Sequence, residues 1–256
     1  MSRRHLAFDC EGAQLAGTLD DAPGATGLLI VSGGNETRAG AFSGQAQLAA
    51  RIAQAGHPVF RFDRRGVGDS QGWNAGFRDS AADIAAALRA FREHAPHLQR
   101  VVGFGNCDAA SALMLAGGAG MDALALSNPW TIESDNAAPP PQAVRARYAE
   151  KLRNPKELIR LLTGKVSFSK LVRGLAQAAR TAPEPTSLAQ DIAGGLSRFS
   201  GPAIILLAER DRTAQAFEAG WARGDPRIRR CPDASHAYTE PHAREWLFEQ
   251  ILAALA

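Results

Sequence analysis

Three residues of this chain have the types that nucleophilic catalysis needs: Cys107, Asp211 and His236. Cys107 follows the run Val101-Val102-Gly103-Phe104-Gly105-Asn106 and opens Asp108-Ala109-Ala110. An apolar run that passes through Gly-x-Cys-x-Ala into small helix-forming residues has the layout of a nucleophile elbow, a tight strand-to-helix turn that lifts one reactive side chain off a sheet. A thiol stands where a hydroxyl is more usual. The positive end of the helix dipole beneath it favours negative charge on the sulfur. Asp108, in the same first turn, works against that charge. The plainer alternative is an inert buried cysteine, a common state of free thiols.

A nucleophile needs a base within reach of its proton. Ser235-His236-Ala237 follows the last short strand pattern and precedes the final helix, which puts His236 on a loop at the sheet's edge. His5, His57, His94, His97 and His242 read as ordinary surface or core histidines. The imidazole in turn needs an acceptor for its second N–H. Leu206-Leu207-Ala208-Glu209-Arg210-Asp211 ends a strand in acids, and Asp211 is preferred to Glu209 because it lies further out of the strand. Ser32-Gly33-Gly34-Asn35 ends another strand, and a backbone N–H of Gly34 or Asn35 is expected to join that of Asp108 in an oxyanion hole.

These loops need a scaffold. Residues 3–9 and 13–19 read as a hairpin around Cys10-Glu11-Gly12. Strand patterns follow at 26–31, 58–63, 100–105, 123–127, 203–208 and 228–231, and helical patterns at 43–55, 79–94, 107–117, 214–222 and 240–255. Asp79 or Ser80 is placed to cap the second of these helices. Two antiparallel strands followed by β-α alternation predict an α/β fold with a mostly parallel eight-stranded sheet and helices on both faces. Ligands in such sheets bind at the carboxyl ends of the strands, where all four loops lie.

The alternation stops after Asn128-Pro129-Trp130, and prolines at 139–141, 183 and 185 bracket a different stretch. Core segments at 1–130 and 196–256 and a basic helical lid at 131–195, inserted after the sixth strand, are expected. Residues 142–181 hold ten basic side chains against Glu150 and Glu157, a net +8 in a chain whose total is +3. That local charge points to an anionic or carrier-linked acyl substrate, such as a coenzyme A thioester, an acyl carrier protein or a phosphorylated lipid or polysaccharide intermediate. A solvated helix face is the alternative. Apolar residues in the same stretch, Leu158 and Leu162 among them, are candidates for an acyl site or for packing the lid down.

No apolar stretch reaches the ~20 residues that span a bilayer, and Met1-Ser2-Arg3-Arg4-His5 meets no signal core. A cytoplasmic protein without a transmembrane segment is expected. Cys10, Cys107 and Cys231 suit neither a disulfide framework nor a zinc site. Neither metal nor cofactor is expected, and the basic stretch lacks the interleaved aromatics of a nucleic-acid binder.

Together these motifs resemble the α/β-hydrolase superfamily, whose chain order is nucleophile, acid, base. Asp63-Arg64-Arg65-Gly66-Val67-Gly68-Asp69-Ser70 is similar to that family's frequent D-x-R-G-x-G-x-S loop, which implies a structural turn with no catalytic role for Asp63 or Arg64. Cys for Ser at 107 and Ala for Gly at 109 depart from the pattern. Dienelactone hydrolases also carry a cysteine elbow. Ser32 through Gly40, Cys107 through Ser111 and Asn128-Pro129-Trp130 resemble, more narrowly, the exosortase A system-associated hydrolases (type 1), which accompany protein-sorting and exopolysaccharide genes. The expectation is an esterase, thioesterase or acyltransferase working through a Cys107–His236–Asp211 triad and an acyl-cysteine. The competing expectation is a non-catalytic scaffold of the same fold, binding a membrane surface or a partner protein through its basic lid.

Overall fold

The computed structural model describes residues 2–133 and 186–256. The expected lid falls mainly on 134–185, outside the described residues, as do its charge and its apolar faces.

Eight strands form one sheet: β1 (Arg3–Cys10), β2 (Ala13–Asp20), β3 (Thr26–Val31), β4 (Val59–Phe62), β5 (Arg100–Asn106), β6 (Ala123–Ser127), β7 (Ala203–Ala208) and β8 (Ile228–Cys231). Their order is β1-β2-β4-β3-β5-β6-β7-β8. β1 and β2 pair antiparallel, β2 meets β4 antiparallel, and every later pairing is parallel. The described helices are α1 (Gly44–Gln54), α2 (Ala81–His94), α3 (Asp108–Leu115), α4 (Ser187–Ser197), α5 (Arg212–Gly220) and α6 (Pro241–Leu255). This is the α/β-hydrolase architecture.

The two-residue period of the strands sorts the core into two faces. On β3, Leu28 and Ile30 join Val102, Phe104, Leu48, Ile52 and Ile251, so this face packs under α1 and α6. Leu29 and Val31 face the other way, with Phe60, Phe62, Phe91 and Leu113 under α2 and α3. β6 repeats the device, with Ala123 and Ala125 on one side and Leu124 and Leu126 on the other. Small residues on the α1/α6 side admit the bulkier C-terminal helix.

Two expectations need correction. Residues 187–195, assigned to the lid, belong to the core: α4 buries Leu188, Ile192 and Leu196 against the α3 face. Gly195 allows this approach, because a Cβ there would lie 2.2 Å from the Met114 carbonyl oxygen. The prolines before α4 disguised a helix capped by Thr186, whose side chain accepts from Ala189 N–H. The ends of the intervening stretch meet, with Glu133 accepting from Ser187 Oγ and Leu188 N–H and Thr186 Oγ donating to the Thr131 carbonyl. Secondly, Ser80 occupies the N-cap of α2 but makes no capping bond. Its hydroxyl donates to the Gly76 carbonyl and accepts from Arg64. Asp79 lies in the 3-10 turn before the helix.

Candidate active site

The elbow is built by close approach. β5 ends at Asn106, Cys107 takes φ 63° and ψ −129°, and α3 begins at Asp108. A non-glycine residue at positive φ costs on the order of 1–3 kcal/mol and persists only where its surroundings impose it. Here Cys107 N–H donates to the Ser127 carbonyl, and the Cys107 carbonyl accepts from Ser111 and Trp130 N–H. Gly105 is required beneath the turn, since a Cβ there would meet Ala109 backbone atoms at 2.7–2.8 Å. The thiol is half-buried, whereas Cys10 and Cys231 are fully buried. Burial, helped by Asp83, pushes the Cys10 thiol up to about 11, and burial raises Cys231 as well. Both are poor nucleophiles.

Asp211 caps α5. Its carboxylate accepts from Thr213 and Ala214 N–H at 3.1 Å each. It is buried, and its Oδ2 lies 2.8 Å from Nδ1 of His236. Glu209 is exposed and takes no part in this contact. The hydrogen bond that the ring donates to Asp211, then its interaction with the Cys107 side chain, raises the imidazole from 6.5 to about 10 against an opposing desolvation. The structure therefore joins His236 to Asp211 directly, with the Cys107 side chain the second group acting on the ring.

Gly34, Asn35 and Asp108 lie on the opposite side, and their arrangement differs from the expected oxyanion hole. Gly34 N–H donates to Oδ1 of Asp108 at 2.7 Å, so this donor is already engaged. The Gly34 carbonyl accepts from Arg64, whose other nitrogen donates to Ser80 and which lies 3.9 Å from Oδ2 of Asp108. Asp108 thus clamps the loop from one side and Arg64 from the other. Gly33 has no room for a side chain, as a Cβ would stand 2.5 Å from the same Asp108 oxygen. Asn35 is tied by its own side chain, which accepts from Asn74 Nδ2 at 2.9 Å. Its N–H donates to no other described group. The carboxylate of Asp108 faces Arg64, so its charge is met by a buried guanidinium.

The loop after β4 holds itself together as expected. Asp63 is fully buried and accepts from Arg38 and from Asp69 N–H. Arg64 goes further than a turn residue by reaching the Gly34 loop.

One positioning residue was not singled out for this role. Asn128, fully buried at φ 43°, accepts from Ala208 N–H at 2.8 Å and donates to Asn106 Oδ1 at 3.0 Å and the His236 carbonyl at 3.3 Å. Three strand ends and the histidine loop converge on this amide. Tyr238 backs the same loop through Ser127, at 3.0 Å, and burial raises its phenol. An Asn-Pro after a strand reads as a turn in sequence. Only the fold shows what the amide reaches.

The family model described as the alpha/beta hydrolase family matches residues 28–250. The chain belongs to the alpha/beta hydrolase family. Solved structures agree on the fold of this alpha/beta hydrolase at low identity. The Pyrococcus furiosus esterase Pf2001 is 16% identical with a TM-score of 0.60, covering 99% of this chain and 89% of its own. Dienelactone hydrolase from Anabaena variabilis is 15% identical, TM-score 0.62, covering 99% and 96%. A thioesterase domain from the curacin biosynthetic pathway is 14% identical, TM-score 0.56, covering 98% and 100%. No curated protein sequence matches. Among the described residues, no three His, Cys, Asp or Glu side chains converge as metal ligands would, and no helix is long and apolar enough to cross a membrane.

Proposed function

We propose that this alpha/beta hydrolase transfers acyl groups from esters or thioesters through Cys107. The observation that carries the reading is the His236 ring, held by Asp211 at 2.8 Å and interacting with the thiol at a strained elbow. An imidazole raised to about 10 is an imidazolium at neutral pH and cannot accept a further proton. In the proposed mechanism His236 holds the proton that the thiol gives up, as the imidazolium partner of the attacking sulfur.

The sulfur attacks the carbonyl carbon, and the C=O electron pair moves onto oxygen. Asp108 N–H, free at the first turn of α3, and Asn35 N–H serve as the two donors to that oxyanion. Collapse expels the alkoxide or thiolate, which takes the proton from His236. Water then attacks the acyl-cysteine, giving its proton to the neutral imidazole. Expulsion of the Cys107 thiolate releases the acid and restores the pair. An alcohol or amine in place of water completes an acyl transfer.

Family membership supports hydrolysis, and the similar folds include proteins named as an esterase and a thioesterase domain. The narrower kinship with exosortase A system-associated hydrolases rests on the three quoted motifs, and the anionic, carrier-linked substrate rests on the +8 charge of residues 142–181. Stopped-flow mixing with p-nitrophenyl hexanoate tests the chemistry. A burst of nitrophenol equal to the enzyme concentration is expected, and Cys107→Ala should lack it. An equal burst in that variant removes Cys107 from the mechanism.

A further inference from the structure

A cavity of about 210 Å³ opens beside the site, between the 3-10 turn Ala41–Ser43, the start of α1, the histidine loop and α6. His236 stands on its wall, as does Asn106, the residue before Cys107. Its floor is apolar and buried, formed by Leu48, Phe104 and Tyr238, with Leu247 beside them. Its rim is open and carries Phe42.

Phe42 is unusual in two ways. Its ring is 82% exposed, one of two large apolar side chains so placed among the described residues. Its backbone is left-handed at φ 52°, followed by Ser43 at φ 57°, two strained residues in succession. Strain of this kind concentrates at ligand clamps. An aromatic ring held at the mouth of an apolar cavity gains its contacts when something apolar lies beneath it.

We propose that this cavity receives the acyl chain of the substrate, and that it selects short to medium chains through α1, β5 and α6 of the core. The proposal rests on the acyl-transfer reading of Cys107. A chain on the carbonyl carbon at that sulfur passes Asn106 and His236 to reach the floor. The volume sets its length. Pockets for drug-sized ligands run from roughly 300 to 1,000 Å³. At about 210 Å³ this cavity lies below that range, which suits a chain of intermediate length such as hexanoyl better than a long one. Leu48 and Leu247 line the cavity and Phe42 stands at its open rim. Glu36 and Arg244 also lie on the wall, and Arg51, though there, is paired with Glu245. The wall's free charges therefore offset, which suits an uncharged tail.

The test uses the full chain with Cys107→Ala, so that binding is read without turnover. Acetyl, hexanoyl and dodecanoyl thioesters of N-acetylcysteamine are titrated by calorimetry. Hexanoyl should bind about tenfold tighter than either other chain. Phe42→Ala, an exposed substitution that leaves the core intact, should weaken hexanoyl about fivefold or more, and Leu48→Trp should erase the preference. Equal binding of hexanoyl and dodecanoyl, no binding of any probe, or a preference indifferent to Phe42→Ala overturns the proposal. A chain-length preference in a protein whose wild type shows no nitrophenol burst defeats the acyl-cysteine chemistry and leaves the cavity. A burst with no preference does the reverse.

Discussion

The two sides of Cys107 are built differently. On one side, Asp211 and His236 follow consecutive parallel strands and meet through one hydrogen bond between side chains. On the other, the Gly34 loop is held by charge: a carboxylate from the residue after the nucleophile and a buried guanidinium from the loop after β4. In the proposed mechanism the first side moves a proton and the second fixes backbone donors, engaging one of them, Gly34 N–H, in doing so. An oxyanion loop clamped by charges is sensitive to changes that leave the proton path untouched.

The comparison can be broken from either side. Cys107→Ala removes what both sides serve, and kcat should fall about a thousandfold or more, with the residual rate left to the donors and binding. Asp211→Asn strikes the proton side. We expect kcat to drop about a hundredfold as the imidazole loses its orienting acceptor.

The same variant has a pH signature. His236 lies above its unfolded value of 6.5, at about 10. Its pairing therefore contributes stability that is full below about pH 6.5 and is lost as pH rises through 10. Urea unfolding at pH 6, 8 and 10 should show the wild type weakening over that window and Asp211→Asn changing less.

Asp108→Ala strikes the other side. It frees Gly34 N–H and leaves Arg64 without its carboxylate, and we expect kcat to fall about tenfold with little change in KM. The pH profile of turnover should keep its shape. Asp108→Asn, which still accepts from Gly34, should recover part of the loss. A shifted pH profile would show that Asp108 acts on the proton side after all. The smallest catalytic effect is expected where the two sides share a support. Asn128→Ala strands Ala208 N–H and loosens Asn106 and the His236 loop. It should cost about 2 kcal/mol, at ~1–3 kcal/mol for a buried unsatisfied group. Calorimetry should then read a Tm lower by about 4–8 °C.

This contrast also explains what was legible in sequence. β6 and β7 announce themselves as short apolar runs, β8 is a short Ile-Arg-Arg-Cys segment placed by its position before the histidine loop, and the order Cys107, Asp211, His236 follows from which loop each strand feeds. The Asp211–His236 contact could be read because both residues stand in loops at strand ends. The clamp could not. Whether Asp108 points to solvent or to Gly34 depends on how β3 and β5 lie side by side, and Arg64 reaches Gly34 from another loop altogether. α4 was hidden because its apolar residues follow a proline-rich stretch and its partner, α3, lies some 75 residues earlier. Asn128 stands in a quoted motif, but nothing in that motif tells which backbone groups its amide reaches.

The most direct test of the central claim is intact-protein mass spectrometry after rapid acid quench of the enzyme with a hexanoyl thioester. The expected result is a single hexanoyl adduct, mapped to Cys107, that decays at the rate of turnover and is absent in Cys107→Ala. Turnover without any adduct at Cys107, undiminished in that variant, contradicts it.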